Sequence, residues 1–369
     1  MACRGRPSCE VGSLTEIVHV IGSLDRGGAE SVLLDLVRGD RTAQHHVLCW
    51  SGRAGALAPL FRDSGATVDV VPPAGDVSKL RWLRTRLRAL GPSALVSHVS
   101  LASAFVLAAA PRSIRTRIAR VHSAGDGNES SLARRIYRGA ARALLPIVAT
   151  RVLAVSDAAR AFAVGEAGLL YRASGCVAEV LPNGVDTDRF TPEIRRSTTG
   201  GQPPRVLHVG RAAPEKNRAM LVPIFTALQE FRPAAMEIVG SEDVSDLGAL
   251  PQHPLLSVSG PRPDIEIVIA NADVLVLPSL REGLPGVVLE ALACGVPVVA
   301  SDIPTLRELS GRLGGIAVVD LAAGPDRWAR AICDALAIDV SERQRIRQRV
   351  LASEYTLTRN LEHWASRWH

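Results

Sequence analysis

The sequence predicts an α/β protein with two doubly wound, Rossmann-like domains that face each other across a cleft. Three observations support this prediction. The chain has 369 residues, more than a single hydrophobic core usually serves. Short β-rich runs alternate with helical runs along most of its length, as in parallel sheets covered by helices. A segment rich in glycine, proline, serine and threonine, at residues 195–204, separates the two series and is the best candidate linker.

The two series of elements predict the domain limits. Before the linker, helices are predicted at 30–38, 78–90 and 131–148, and strands at 16–22, 46–50, 67–71, 94–100, 117–122 and 151–156. After it, strands are predicted at 205–210, 234–240, 255–260, 273–278, 297–301 and 315–320, with a helical end from 341. We therefore expect an N-terminal domain over 1–190 and a C-terminal domain over 191–369. The last helix is a candidate to pack back on the N-terminal domain.

Composition predicts a globular cytoplasmic protein. Hydrophobic residues make up 47% and charged residues 22%, and six cysteines lack the spacing of a disulfide or metal motif. The N-terminus is polar and unlike a secretory signal, and the longest apolar stretch, 99–111, is too short to span a bilayer. Residues 1–190 hold 24 Lys and Arg against 16 Asp and Glu. This basic half suggests an anionic surface or ligand, although solvated arginine-rich helices explain it equally well.

The first chemical motif is LDRGGAES, at residues 24–31. Gly27 and Gly28 lie between a predicted strand and a predicted helix, where paired glycines allow backbone N–H groups to approach a phosphate. The spacing is not GxGxxG, and no acidic residue ends the second strand, so NAD binding is disfavoured. A tight strand-to-helix turn without a ligand is the alternative.

The second motif, VGRAAPEKN at residues 209–217, follows the first strand of the second domain. Arg211 and Lys216 lie on its turn, where two cations can neutralise a pyrophosphate and stabilise it as it leaves. The alternative is a pair of solvated charges on a loop.

The third motif, REGLPGVVLEALACGVPVVASD, has the order loop, helix and strand, directly after an apolar strand. Glu282 lies in the loop and Glu290 inside the helix, so both carboxylates are expected beside a helix N-terminus and can accept hydrogen bonds from a polyhydroxylated ligand. The alternatives are structural. Glu290 would be a buried carboxylate paired with a cation such as Arg307, and Glu282 an acid favoured by the helix dipole.

The chain resembles glycosyltransferase family 4 over nearly all of its length. The resemblance rests on motifs that occur in the order of that family: GGAE (27–30), VSDAAR (155–160), LPNGVD (181–186), VGRAAPEKN, the long segment at 273–302, and RE (307–308). Members of this family are retaining transferases of the GT-B fold that use nucleotide-sugar donors. The resemblance therefore implies a C-terminal domain that holds the donor and an N-terminal domain that presents the acceptor.

The resemblance also implies residue roles. Glu282 would contact the hydroxyls of the donor sugar, Glu290 the ribose, and Arg211 with Lys216 the diphosphate. The donor would also be bound by backbone groups of the two glycine-containing loops, at Gly27, Gly28, Gly283, Leu284, Pro285 and Gly286. His122 ends a strand where the family often has a histidine near the anomeric carbon, although its surroundings, HSAGD, depart from the usual HG-x-D or HD. His98 ends the preceding strand and remains an alternative.

We expect a sugar to move from a UDP- or GDP-sugar to a hydroxyl of a sugar, lipid-linked or small-molecule acceptor, in polysaccharide, glycolipid or glycoside biosynthesis. No DxD motif lies in a suitable loop, so we expect no metal cofactor and leaving-group stabilisation by Arg211 and Lys216 instead. The resemblance implies retention of configuration, and no acidic nucleophile is identifiable, so a front-face mechanism is the working hypothesis. We expect no nucleic-acid partner. The rival hypotheses are a sugar-nucleotide 2-epimerase of the same fold and a non-catalytic partner subunit.

An anionic membrane surface is the last predicted partner, which would make the protein peripheral on the inner face of the cell membrane. The helix at 78–90 has leucines at helical spacing among basic residues, and 134–142 forms a second basic helix. The alternative is that the leucines pack on the sheet and the arginines are solvated.

Overall fold

The structure, a computed structural model, describes residues 14–125, 131–192 and 203–368. Most of the linker predicted at 195–204 lies outside these residues. The described chain forms two parallel β-sheets, of seven and six strands, with helices on their faces. The α/β class and the alternation of strands and helices are thus confirmed.

The first sheet contains seven strands in the order β3-β2-β1-β4-β5-β6-β7. Their bounds are β1 Thr15–Ile21, β2 Ala43–Cys49, β3 Thr67–Val70, β4 Ala94–Ser97, β5 Thr116–Val121, β6 Arg151–Ala154 and β7 Val177–Val180. The inner strands are apolar runs buried on both faces, as expected for a parallel sheet. The sequence pattern missed β7, because this edge strand is four residues long and only partly buried.

The helices described between the strands of this sheet are α1 Gly28–Gly39, α2 Ala58–Asp63, α3 Asp76–Leu90, α4 Ser103–Ala108, α5 Leu132–Val148, α6 Asp157–Val164 and α7 Gly168–Ser174. The leucine stripe of α3 faces inward, since Leu83 and Leu87 belong to the buried core. Of the two explanations for that stripe, packing on the sheet is the one observed.

The second sheet contains six strands in the order β10-β9-β8-β11-β12-β13. Their bounds are β8 Arg205–Val209, β9 Ala235–Val239, β10 Leu256–Ser259, β11 Val274–Leu277, β12 Val298–Ser301 and β13 Ile316–Val319. Strand order reverses between β8 and β11, as it does between β1 and β4 in the first sheet. Ligands of open parallel sheets bind at such points, outside the carboxyl ends of the strands.

The remaining helices are α8 Leu221–Phe231, α9 Ile265–Ala270, α10 Gly286–Ala293, α11 Pro304–Leu313, α12 Pro325–Leu336, α13 Val340–Ala352 and α14 Leu357–Trp368. Helix α14 lies against the first sheet, not the second. Trp364 and Trp368 are buried in the same apolar cluster as Ile17 and Leu36. No helix among the described residues is long and apolar enough to cross a membrane.

The LPNGVD motif holds α14 in this place. The Asn360 side chain donates to the Pro182 carbonyl over 2.6 Å. Arg120, fully buried on β5, donates to the Asn183 side chain over 2.8 Å and to the Leu181 carbonyl. Burial lowers the pKa of Arg120 to about 9. An unpaired buried guanidinium is costly. The bonds from Arg120 to Asn183 and to the Leu181 carbonyl therefore fix the position of the LPNGVD motif against β5.

Candidate functional site

The sequence-predicted cations and carboxylates meet at the carboxyl end of the second sheet. Arg211 and Lys216 follow β8, with Lys216 in a short 3₁₀ turn over Pro214–Lys216. Glu282 lies in the loop between β11 and α10, and Glu290 lies on α10 itself. Because β8 and β11 are neighbours in the sheet, these two loops emerge side by side.

Lys216 and Glu282 form the best-defined pair of this site. The Nζ of Lys216 lies 2.7 Å from Oε1 of Glu282, and the hydroxyl of Ser279 donates to the same oxygen over 2.7 Å. The Thr305 hydroxyl donates to the Glu282 carbonyl over 3.0 Å. Both charged side chains are largely shielded, with exposures of 18% and 10%. The carboxylate is therefore held in one orientation, while the lysine keeps further N–H groups for an anion.

Arg211 lies at the exposed side of the same loop. Its side chain is 66% exposed and pairs with Glu215 over 2.7 Å. Across the cleft is Glu30 on α1, whose pKa is raised by burial and held back by the positive charge of Arg211. The positive charge of Arg211 therefore acts on the first turn of α1.

The GGAE motif forms the first turn of α1, and its two glycines differ. A Cβ added to Gly27 would lie 2.4 Å from Oε2 of Glu30, whereas one added to Gly28 would meet nothing within 4 Å. A side chain at Gly27 would only displace the flexible carboxylate of Glu30, which folds back over this position. Gly28 leaves open space at a helix N-terminus, where an anion is favoured.

The loop at Gly283 packs closely against the N-terminal domain. A Cβ on Gly283 would lie 1.9 Å from the carbonyl oxygen of His122. The buried hydroxyl of Ser156 donates to the Gly283 carbonyl over 2.6 Å. Next along the chain, Leu284 is buried, Pro285 precedes the first turn of α10, and Gly286 begins that helix. The loop at Gly283 therefore rests on residues of the N-terminal domain.

Three hydroxyl groups hold the site in place without having been predicted from the sequence. They belong to Ser156, Ser279 and Thr305. Ser156 belongs to the VSDAAR motif, which was recognised without a role, and it also caps α6 by accepting from the Ala159 N–H. A serine before a helix predicts such a cap. Nothing in the sequence indicates its second contact with Gly283.

Glu290 is buried, and the cation that acts on its carboxyl group is Arg189 rather than Arg307. Burial raises the pKa of Glu290 to about 7, Arg189 opposes that rise, and Asp35 and Glu266 add to it. Arg307 instead pairs with Asp302 over 2.8 Å, so the predicted alternative of a Glu290–Arg307 pair is wrong. A carboxyl that titrates near neutrality can both donate to and accept from a hydroxyl.

We expect Glu290→Gln to stabilise the protein at high pH. The pKa of Glu290 rises from its ordinary value of 4.5 to about 7 in the folded protein. Ionisation of Glu290 therefore lowers the stability of the folded state progressively as pH rises from about 4.5 to about 7. At pH 8 the variant should melt about 2–4 °C above the wild type, and the gap should close towards pH 5. Differential scanning fluorimetry measures both profiles.

Glu230→Gln, on the exposed side of α8, is the control for this prediction. It should follow the wild-type profile at every pH. A constant gap between Glu290→Gln and the wild type from pH 5 to 8 would contradict the assignment.

The sequence left a choice between His98 and His122. In the structure the two side chains are hydrogen-bonded to each other. Nδ1 of His98 lies 3.0 Å from Nε2 of His122, at the ends of β4 and β5. Burial and, to a lesser extent, the nearby Arg120 together lower the pKa of His122 to about 3, so the ring is neutral at physiological pH. Both histidines therefore lie at the cleft, and His122 is the one beside the Gly283 loop. Within the described ranges, no three His, Cys, Asp or Glu side chains are placed to hold a metal ion.

Comparison with family models matches both halves of the chain. Residues 26–189 match the model described as Glycosyltransferase Family 4, and residues 203–337 match Glycosyl transferases group 1. Among curated relatives, EpsF of Bacillus subtilis (strain 168) is 27% identical, covering 95% of each chain. The phosphatidyl-myo-inositol mannosyltransferase of Mycobacterium tuberculosis (strain CDC 1551 / Oshkosh) is 30% identical, covering 89% of this chain and 87% of the relative.

The fold is shared with solved structures. Anabaena Alr3699/HepE, crystallised with UDP and glucose, superposes with a TM-score of 0.74 at 19% identity, over 95% of this chain and 98% of the other. The glycosyltransferase WaaG superposes with a TM-score of 0.71 at 14% identity, over 95% and 98%. These likenesses confirm the predicted GT-B fold.

Proposed function

Because this chain belongs to glycosyltransferase family 4, and is therefore a glycosyltransferase, we propose that it moves a sugar from a UDP- or GDP-sugar to a hydroxyl acceptor with retention of configuration. The observation that carries the proposal is the Lys216–Glu282 pair at the carboxyl end of the second sheet, with Arg211 beside it and the N-terminal domain opposite. Cations for a diphosphate and an oriented carboxylate for hydroxyls are what a nucleotide-sugar requires.

The proposed division of labour follows from the environment of each group. Arg211 and Lys216 bind the diphosphate and stabilise the negative charge that develops as it leaves. Glu282 accepts hydrogen bonds from hydroxyls of the donor sugar, while Glu290 binds the ribose. Gly27 and Gly28 lie on the phosphate side facing the N-terminal domain, and backbone groups from Gly283 to Gly286 border the sugar.

The surroundings of Glu282 support a front-face mechanism over a covalent one. One of its oxygens already accepts from Lys216 and Ser279. Such bonds stabilise the carboxylate and lower its nucleophilicity, so it suits binding better than attack. In the proposed reaction the departing phosphate accepts the proton of the acceptor hydroxyl on the same face of the sugar. Contact between the domains at Gly283 excludes water and limits donor hydrolysis.

The donor is tested by a thermal-shift panel of UDP-, GDP- and ADP-sugars. A ligand that binds only the native state raises the melting temperature, by an amount equivalent to about 2.7 kcal/mol at a hundredfold excess over its Kd. HepE was crystallised with UDP-glucose, whereas one relative is named as a GDP-mannose-dependent enzyme. We expect a UDP- or GDP-sugar to produce the largest shift, and no shift with any of the three would contradict the proposal.

We infer a lipid-linked acceptor, reached through helix α5. This inference is supported by the mannosyltransferase relative, whose name gives phosphatidyl-myo-inositol as its substrate. Leu132, Ile136 and Ile147 are 70%, 63% and 70% exposed. They lie within about 60° of one another around the helix, with exposed Arg135 to one side. An apolar stripe beside a cation suits an anionic lipid surface.

Vesicle sedimentation tests this surface. The wild type should pellet with vesicles containing anionic phospholipid and stay in solution with phosphatidylcholine alone. Leu132→Glu combined with Ile136→Glu should reduce the pelleted fraction by about tenfold, because two charges would enter the interface. Ile267→Glu, at an exposed apolar position on α9, is the matched control and should pellet as the wild type does. Equal pelleting of the wild type with both kinds of vesicle would remove the membrane inference.

A further inference from the structure

Four histidine rings form a continuous hydrogen-bonded chain across the first sheet. His45 on β2, His19 on β1, and His98 and His122 at the ends of β4 and β5 stand side by side because those strands are neighbours. Nδ1 of His45 lies 3.0 Å from Nε2 of His19, and Nδ1 of His19 lies 3.1 Å from Nε2 of His98. The 3.0 Å contact from His98 to His122 completes the chain, which we call the histidine chain.

Three rings of this chain, those of His19, His98 and His122, are neutral. His19 is fully buried and His45 is 3% exposed. Burial lowers the pKa of His19 and of His98 well below the ordinary value, and the neighbouring histidines lower both further. A neutral imidazole carries one N–H and one lone pair. The donors of the chain must therefore all point towards His45 or all point towards His122.

Asp40 decides between these two directions. Its Oδ2 lies 3.4 Å from Nε2 of His45 and accepts from the indole N–H of Trp368 over 2.9 Å. Although desolvation opposes ionisation, hydrogen bonds from Thr42 and Trp368 and the neighbouring His45 keep the pKa of Asp40 below its ordinary value. Nε2 of His45 is not aligned for a hydrogen bond to Asp40, but an N–H there is attracted by the ionised carboxylate whereas a lone pair is repelled, so the proton of His45 is favoured on Nε2.

The consequence passes along the chain one ring at a time. A neutral His45 with its proton on Nε2 offers the lone pair of Nδ1 to the N–H of His19. His19 and His98 repeat the arrangement, and His122 donates its Nε2–H to His98. The lone pair of His122 is then left on Nδ1, which is buried and has no hydrogen-bond partner among the described residues.

We propose that Asp40, His45, His19 and His98 are positioning residues that lock His122 in the tautomer with its proton on Nε2. Nδ1 of His122 then serves as an acceptor for a hydroxyl of the donor sugar or of the acceptor substrate. This proposal rests on the proposed function, because the Gly283 loop against which His122 lies is the proposed sugar site. In the opposite direction, a lone pair of His45 would face the carboxylate of Asp40.

The test is ¹⁵N NMR of the full-length protein labelled at histidine, with the His122 signal assigned by its absence in His122→Gln. The two ring nitrogens of a neutral histidine have different chemical shifts, so the tautomer is read directly. In the wild type we expect His122 to carry its proton on Nε2, and a proton on Nδ1 would overturn the proposal. The tautomer is read in the wild-type protein without any measurement of activity, so the readout remains decisive if the proposed function fails.

Asp40→Asn tests whether the remote carboxylate sets the tautomer. The carboxamide can donate to Nε2 of His45, so the bias is lost, and we expect a population of His122 with its proton on Nδ1. Glu16→Gln is the matched control, since Glu16 pairs with His46 on the same two strands but outside the histidine chain. That control should leave the His122 signal unchanged. An unchanged tautomer in folded Asp40→Asn would overturn the role of Asp40.

The kinetics of Asp40→Asn show whether the hydroxyl that binds Nδ1 of His122 belongs to the donor sugar or to the acceptor substrate. We expect kcat/KM to fall at least about tenfold in Asp40→Asn, as is typical when a partner that orients a functional histidine is lost. Weaker binding of the nucleotide-sugar alone would place the hydroxyl on the donor. Unchanged donor binding with a raised KM for the acceptor would place it on the acceptor. Unchanged kcat/KM and unchanged affinity for both substrates would contradict a function for Nδ1.

Discussion

The double variant Arg211→Ala, Lys216→Ala is expected to lose at least about a thousandfold in kcat/KM. Removing a single preorganised donor from a developing negative charge typically costs about 10²–10³ in rate, and this variant removes two cations. Loss of Lys216 also leaves Glu282, only 10% exposed, without its charged partner. The measurement is the initial rate of sugar transfer with the donor selected by thermal shift.

Arg205→Ala is the matched control for the double variant. Arg205 begins β8, whereas Arg211 follows its carboxyl end, so the control removes a cation from the opposite edge of the same sheet. We expect it to stay within about twofold of the wild type, as surface charges far from a site contribute little. Transfer by the double variant at a rate near that of Arg205→Ala would refute leaving-group stabilisation by these cations.

The second large effect is expected for Gly283→Ala. The added methyl group would lie 1.9 Å from the carbonyl oxygen of His122 and 2.7 Å from its carbonyl carbon. Both are backbone atoms that cannot rotate away, so the two domains must separate by more than an ångström. Misplacement on that scale can cost about a hundredfold in rate, and we expect at least that loss in kcat/KM.

Small-angle scattering of the same variant should show a larger radius of gyration than that of the wild type. Gly311→Ala is the control, because Gly311 lies in α11 and an added Cβ there meets nothing within 4 Å. Its activity and scattering should match the wild type. Wild-type turnover in Gly283→Ala would show that closure at this loop is not needed for transfer.

Much of the fold was predictable because its signals are local. The apolar runs at β1, β2 and β11 are flanked by turn residues, and their burial follows from composition alone. Strand β7 was missed because a partly buried edge strand of four residues carries almost no pattern. The packing of α14 on the first sheet depends on Asn360 meeting Pro182, a contact across 178 residues.

The candidate site was predictable in its members but not in its pairings. The motifs identified Lys216 and Glu282 separately, yet the two are 66 positions apart in the sequence, and only the adjacency of β8 and β11 brings them together. The same limit applies to the histidines. The sequence offered His98 and His122 as alternatives, whereas the strand order makes them neighbours and adds His19 and His45, which carried no signal of their own.

The central claim is that Arg211, Lys216 and Glu282 form the donor site. Titration calorimetry with the selected nucleotide-sugar tests it most directly, because binding is measured without an acceptor. We expect the wild type and Arg205→Ala to bind with equal affinity, and the double variant Arg211→Ala, Lys216→Ala to bind at least about a hundredfold more weakly. Equal affinity of the double variant and the wild type would contradict the account.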